Sequence, residues 1–179
     1  MRYSITFFSD WHCGSGLSSG ADVDATVIRD LNGLPYMPGK TLKGVLREAS
    51  QLLVDLGHYD QSTLDACFGS SNEGGHTQGD LFFGSASLDL PSNTPAALKS
   101  FLFRKIASTA IDSERGTAMQ GSLRKHEVCV PLTLEGEIEG DLSPYVELLT
   151  RACAMVKCVG VNRNRGFGRC RINLLEGQL

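Results

Sequence analysis

Hydrophobic and polar positions along the chain change period several times, and each change marks an element. Residues 3–10, YSITFFSD, alternate and are rich in aromatic and β-branched side chains, which predicts a first strand. From about Thr41 to Leu56 the period lengthens: Leu42, Val45, Leu46, Ala49, Leu52, Leu53 and Leu56 form one helical stripe, with Thr41 as N-cap and Gly57 as stop. Residues 57–79 are polar and irregular. DLFFGSASLDL (80–90) predicts a strand with a glycine break, and residues 99–140 predict two or three strands joined by a long polar tip around Ser113 to Gly121. A second helix starts after Ser143 as cap and Pro144 as first residue. Val146, Leu149, Cys153, Val156 and Val159 form its buried face, flanked by Leu148, Ala152 and Met155. The glycine turn of RGFGRCRINLL then leads into a last strand.

Strand, helix, strand, strands, helix, strand is the order of a split βαβ plan. The expected fold class is α+β, with a ferredoxin-like core. An acidic loop is inserted at about residues 10–37 and an extended hairpin at about residues 107–130. At 179 residues, with no internal repeat or linker, the chain reads as a single domain spanning 1–179. Hydrophobic (41%) and charged (21%) contents are ordinary and change nothing. The six cysteines form no CxxC pair, and no apolar run approaches membrane-spanning length. The expectation is a cytoplasmic protein with reduced thiols. His58, Cys67 and His76 are too irregularly spaced to read as a zinc site.

Charge does change the picture. A net charge of −3 argues weakly against a free-standing nucleic-acid binder, but the charges are sorted rather than mixed. Arg163, Arg165, Arg169 and Arg171 fall within nine residues, and Arg124-Lys125-His126 form a second cluster. Local basic strips bind phosphate even on an acidic protein. In GADVDATVIRDLNGLPYMPGKTLKGVLREA, acids precede an apolar bend and bases follow it. There a helix start with Gly39 allowing close approach, Lys40 and Lys43 one face apart, and Arg47 a turn further on suits an anion. Gly166 and Gly168 around Phe167, beside Arg165, let a backbone hug a polyanion. His12, near Gly14 and Gly16, either approaches RNA or caps a loop. Asp22 and Asp24, on residue type alone, are ordinary turn residues.

Taken in order, HCGSG, DATVIRDLNGLPYMPGKTLKGVLREA, DACFGS with GDLFFGSASL, TAIDSERGTAMQGSLRKHEV and RNRGFGRCRI resemble the RAMP superfamily. More narrowly, they resemble the repeating backbone subunit of type III CRISPR effector complexes. That resemblance implies an RRM-like core whose copies stack along a CRISPR RNA guide beside paralogues and other effector subunits. The hairpin becomes a thumb, about residues 107–130, that wedges between guide and target bases; Met119, a flexible apolar side chain amid polar neighbours, is the expected wedge. The aspartate required for metal-dependent cleavage of complementary target RNA falls, by alignment on VIRD, at Asp24 rather than Asp22 or Asp30. Lys40, Lys43 and Arg47 fall where the guide backbone is contacted, and Gly166 to Gly168 match the glycine-rich loop.

The implied chemistry is attack of a 2′-hydroxyl on its neighbouring phosphate once the thumb has unstacked a nucleotide. Asp24 then either holds a divalent ion, Mg2+ by expectation, or takes the proton. Carboxylates titrate near 4 and are poor bases at neutral pH, which favours the metal role. Two alternatives remain open: a scaffold that binds the guide without cutting, and a stand-alone RAMP nuclease that processes CRISPR transcripts with histidines.

Overall fold

The computed structural model describes residues 1–16, 23–72, 75–91 and 93–175. Strand β1 (Arg2–Phe7) lies at the heart of a six-stranded sheet, and elements are numbered here in chain order. It is antiparallel to β10 (Cys170–Leu175) on one side and to β9 (Thr133–Glu139) on the other. Beyond β9 come two short strands, β5 (Phe82–Phe83) and β6 (Ala86–Ser87), and the edge strand β2 (Tyr36–Met37). The order β10-β1-β9-β6 is that of the split βαβ plan. The glycine break expected in residues 80–90 separates β5 from β6 at Gly84.

Alternation on β1 drives Tyr3, Ile5 and Phe7 into the core under two helices, α1 (Gly39–Asp55) and α4 (Val146–Met155). Gly136, opposite Tyr3, is glycine because a Cβ there would stand 2.5 Å from the Tyr3 hydroxyl. Leu42, Leu46, Ala49 and Leu53 bury α1. Leu52 and Leu56, expected in the same stripe, are 50% and 68% exposed. Their angle on the helix carries them past its contact with the core.

Both helix starts differ from expectation, and for local reasons. Helix α1 begins at Gly39 with Pro38 as cap, because the Pro38 carbonyl accepts the N–H groups of Thr41 and Leu42. The Thr41 side chain instead lies beside the Cys13 thiol and opposes part of the upward shift that burial gives it. Its end is as expected: Gly57, at φ +77°, donates to the Val54 carbonyl. Helix α4 begins at Val146, after Tyr145, so Ser143 and Pro144 precede it. There the Asp141 carboxylate accepts the Ser143 N–H and turns the chain before the helix starts. Val146 and Met155, counted among its buried or flanking residues, are each 37% exposed.

Residues 57–79, expected to be irregular, hold α2 (Gln61–Phe68) and a small hairpin of β3 (Ser70–Asn72) and β4 (Gly75–Thr77). Leu64, Cys67 and Phe68 of α2 are buried at helical spacing. Helix α3 (Ala96–Lys99) leads into a second hairpin, β7 (Phe103–Ser108) and β8 (Arg124–Cys129), a sheet of its own. Residues 109–123 form its tip. All six cysteines are free, and burial pushes the thiols of Cys67, Cys129, Cys153 and Cys170 up to about 12. Among the described residues no helix is long and apolar enough to cross a membrane.

Candidate nucleic-acid interface

The β7–β8 hairpin is tied to the sheet at its base. Trp11 exchanges backbone hydrogen bonds with Cys129, donates its indole N–H to the Val130 carbonyl and stacks on Phe7 at 4.4 Å. Asp10 accepts from the Nε and Nη2 of Arg104 on β7. The described end of the acidic loop, residues 23–29, then runs along β8, with Ala25 bridged in parallel to His126. Asp24 donates its N–H to the Lys125 carbonyl and accepts the Lys125 N–H on its own Oδ2 at 2.7 Å. Its side chain is exposed. Asp22 lies outside the described residues. The Asp30 carboxylate accepts the N–H groups of Asn32 and Leu34 and so fixes a turn.

Glu127 is the residue that sequence reasoning missed. Its N–H donates to the Ala25 carbonyl, and its carboxylate accepts the Val27 N–H at 3.0 Å and pairs with Arg29 at 2.6 Å. Its carbonyl meets His12 Nδ1 at 2.6 Å. One residue thus fastens the Asp24 segment, the His12 loop and β8 together. A carboxylate only 13% exposed is the structural signal; in sequence it is one acid in a polar run.

Register assigns each hairpin residue to a face, because directly opposed residues project the same way. Arg104–Val128, Ile106–His126 and Ser108–Arg124 share one face. Phe103–Cys129, Lys105–Glu127 and Ala107–Lys125 share the other. Against the first face the fold brings His12, Arg165 and Phe167, which line a narrow cavity with Ile106, Ser108 and His126. His12 is itself 4% exposed, walled in by its own loop and the glycine turn.

That turn is dictated by close approach. Gly168, at φ +68°, carries a Cβ position 1.9 Å from the Val159 carbonyl oxygen. Gly160 would similarly strike the His12 carbonyl. Gly166, at φ +86°, has open space around it, so its glycine answers to backbone conformation alone. Met119 is 52% exposed on the tip, and Ile111 and Leu123, which the sequence did not single out, are exposed beside it at 59% and 62%.

Lys40, Lys43 and Arg47 are not brought to this cavity. Thr41 and Glu48 mark the side of α1 facing the His12 loop and glycine turn, the latter through an Arg163–Glu48 pair at 3.9 Å. The three bases lie around the helix from there, and Arg47 pairs with Asp65 of α2 at 3.7 Å. Lys43 lies close enough to the Cys67 thiol to oppose part of its upward shift. The expected backbone cradle at the helix start is closed. A Cβ on Gly39 would stand 1.8 Å from the Phe83 carbonyl oxygen, and the Gly39 N–H is spent on the Ser85 hydroxyl at 3.2 Å. Gly39 serves helix-on-sheet contact, not ligand approach.

The open face of the sheet carries charged side chains together with two exposed aromatic rings. On it stand Arg2, Ser4 and Thr6 of β1, Thr133, Glu135 and Glu137 of β9, and Arg171 and Asn173 of β10. Arg2 pairs with Glu135, while Phe82 of β5, opposite Glu139, is 64% exposed, and Phe8, just past β1, is 56% exposed with the Arg171 guanidinium 5.8 Å from its ring. The hairpin adds a second set of features suited to a polynucleotide.

No curated protein matches the chain in sequence. In structure it is similar to a chain of the type III-B Cmr-beta bound to cognate target RNA, solved by cryo-EM. The TM-score is 0.71 at 12% identity, over 96% of this chain and 95% of that one. A chain of the apo state of type III-B Cmr-beta gives a TM-score of 0.73 at 12% identity, over 99% and 98%. These likenesses establish the fold. The sequence match to the RAMP superfamily extends over residues 4–171. Because it runs from the first strand of the sheet into the last, through the hairpin and the glycine turn between them, the chain belongs to the RAMP superfamily.

Proposed function

We propose that the chain is a backbone subunit of a type III CRISPR effector complex, holding a CRISPR RNA guide and cutting the complementary target RNA beside Asp24. One observation carries the reading: an exposed carboxylate, Asp24, is held in register on the return strand of a hairpin whose tip bears exposed apolar side chains. A tip that unstacks a nucleotide frees the local backbone to bring a 2′-hydroxyl in line with its phosphate, and Asp24 stands along the same strand. Guide–target pairing supplies the sequence specificity, leaving the protein to read backbone and shape.

Among the described residues no group of three or more His, Cys, Asp or Glu side chains could hold a metal ion. Asp24 fits a hard cation such as Mg2+ in the way such ions are commonly held, by one or two carboxylates together with substrate phosphate. A bound divalent ion would offset charge developing on the scissile phosphate. Asp24 itself contributes a fixed anionic oxygen, while its other oxygen is occupied by the Lys125 N–H.

The test is Asp24→Asn, which can still accept the Lys125 N–H but lacks the charge. Guide-loaded complex with this change should retain guide and target and lose cleavage at this subunit's site. Undiminished cutting rejects the nuclease reading; intact target RNA with the unaltered protein and Mg2+ leaves the scaffold. The histidine-nuclease alternative draws on His12 and His126 lining one cavity. Cleavage of a free repeat hairpin that persists in EDTA would favour it.

A further inference from the structure

On the hairpin face away from the glycine turn lies a cleft of about 420 Å3, to which the reading above gives no role. Arg29, Lys99, Phe103, Lys105 and Glu127 line it, and Arg104 borders it from β7. Arg29, Lys99 and Lys105 thus share the described lining with one carboxylate, Glu127, while Arg104 at the border is matched by Asp10, on a protein whose net charge is −3. The Arg29 guanidinium lies 3.9 Å over the Phe103 ring while pairing with Glu127, Arg104 is held by Asp10, and the Lys99 ammonium donates to the Asn32 carbonyl at 3.1 Å. Guanidinium groups fixed by one edge and still about half exposed keep N–H donors for a second anion without further loss of side-chain freedom.

The cleft's place in the fold identifies its ligand. Arg29 and Asp24 belong to one segment clasped to β8, five residues apart, roughly 15 Å if extended. That is the length of a few nucleotides. We propose that this cleft carries the phosphate backbone of the strand presented to Asp24, the target RNA, a few nucleotides from the bond addressed. The inference rests on the function proposed above and adds the track by which the target is held. The hairpin separates this track from the cavity of His12, Arg165 and Phe167, so guide and target backbones lie against opposite faces.

Guide-loaded complex carrying Asp24→Ala, so that nothing is cut, is titrated with complementary RNA across a salt series, with and without Lys99→Ala plus Lys105→Ala. The lysine changes should weaken target binding about 10-fold and make its salt dependence shallower by about 1 to 2 in log–log slope. Guide occupancy should not change, and Lys99→Arg with Lys105→Arg should restore both quantities. Unchanged affinity and slope overturn the proposal, as does an equal loss of guide. If RNA binding is unaffected while neighbouring subunits fall away, the cleft takes an acidic protein surface and the proposal is again overturned. Should the complex with both lysines intact fail to retain complementary RNA, the target-cleaving reading itself falls, and the cleft with it.

Discussion

The two faces of the β7–β8 hairpin are made from the same twelve strand residues, yet they are built differently. One is closed by close packing: His12 is buried, Gly160 and Gly168 press backbone on backbone, and Phe167 fills in beside them. The other is open and held by charge, with the Glu127–Arg29 pair as its fastening and Asp24 exposed at its edge. A packed face keeps its shape whatever lies on it; a charged one needs a counter-charge to be at ease. The difference suits a permanent guide on the first and a transient target on the second.

The sharpest way to break this comparison is Asp24→Asn. Cleavage should fall about 1,000-fold, within the range removed with a group that acts at the reacting atoms, while target affinity holds. Loss of binding together with cleavage would show that the open face is one unit rather than a track with a separate reactive end.

On the packed face, Gly168→Ala should cost about 3 kcal/mol or more, because a Cβ meets the Val159 carbonyl and the φ is positive. Gly166→Ala, with the same sign of φ but open space, should cost about 1 kcal/mol. Urea midpoints measure both, and equal losses would show that packing is not what defines this face.

Glu127→Ala removes the fastening of the Asp24 segment, a partly buried charged hydrogen bond worth about 2 kcal/mol. Single-turnover cleavage should drop about 20-fold, and Glu127→Gln, which still accepts the Val27 N–H, should recover part of it. Met119→Ala should have the smallest effect, about 3-fold on cleavage. Ile111 and Leu123 share the exposed tip, so the triple alanine variant should lose far more than Met119→Ala alone.

Much of the sheet and its two packed helices was legible because burial obeys periodicity. The strand-helix order, the α1 stripe and the Gly57 stop all follow from spacing that the core enforces. What periodicity could not show was set by partners remote in sequence. Gly39 reads as an opening for a ligand until Phe83 is found against it. Short α2 was lost because three buried residues in eight make too brief a pattern. At the candidate site, His12, Arg165 and Phe167 were identified separately and converge, whereas Lys40, Lys43 and Arg47 form a strip of their own. Glu127 was beyond reach, since its importance lies in contacts to residues about a hundred positions earlier.

The clasp of residues 23–29 on β8 has a consequence for error. Paired strands shift only by whole registers, and an odd step would send the Asp24 segment's side chains to the opposite side. Misplacement of its carboxyl along the hairpin is therefore quantised, so a damaged clasp should yield a second discrete cut on the RNA rather than a blurred one.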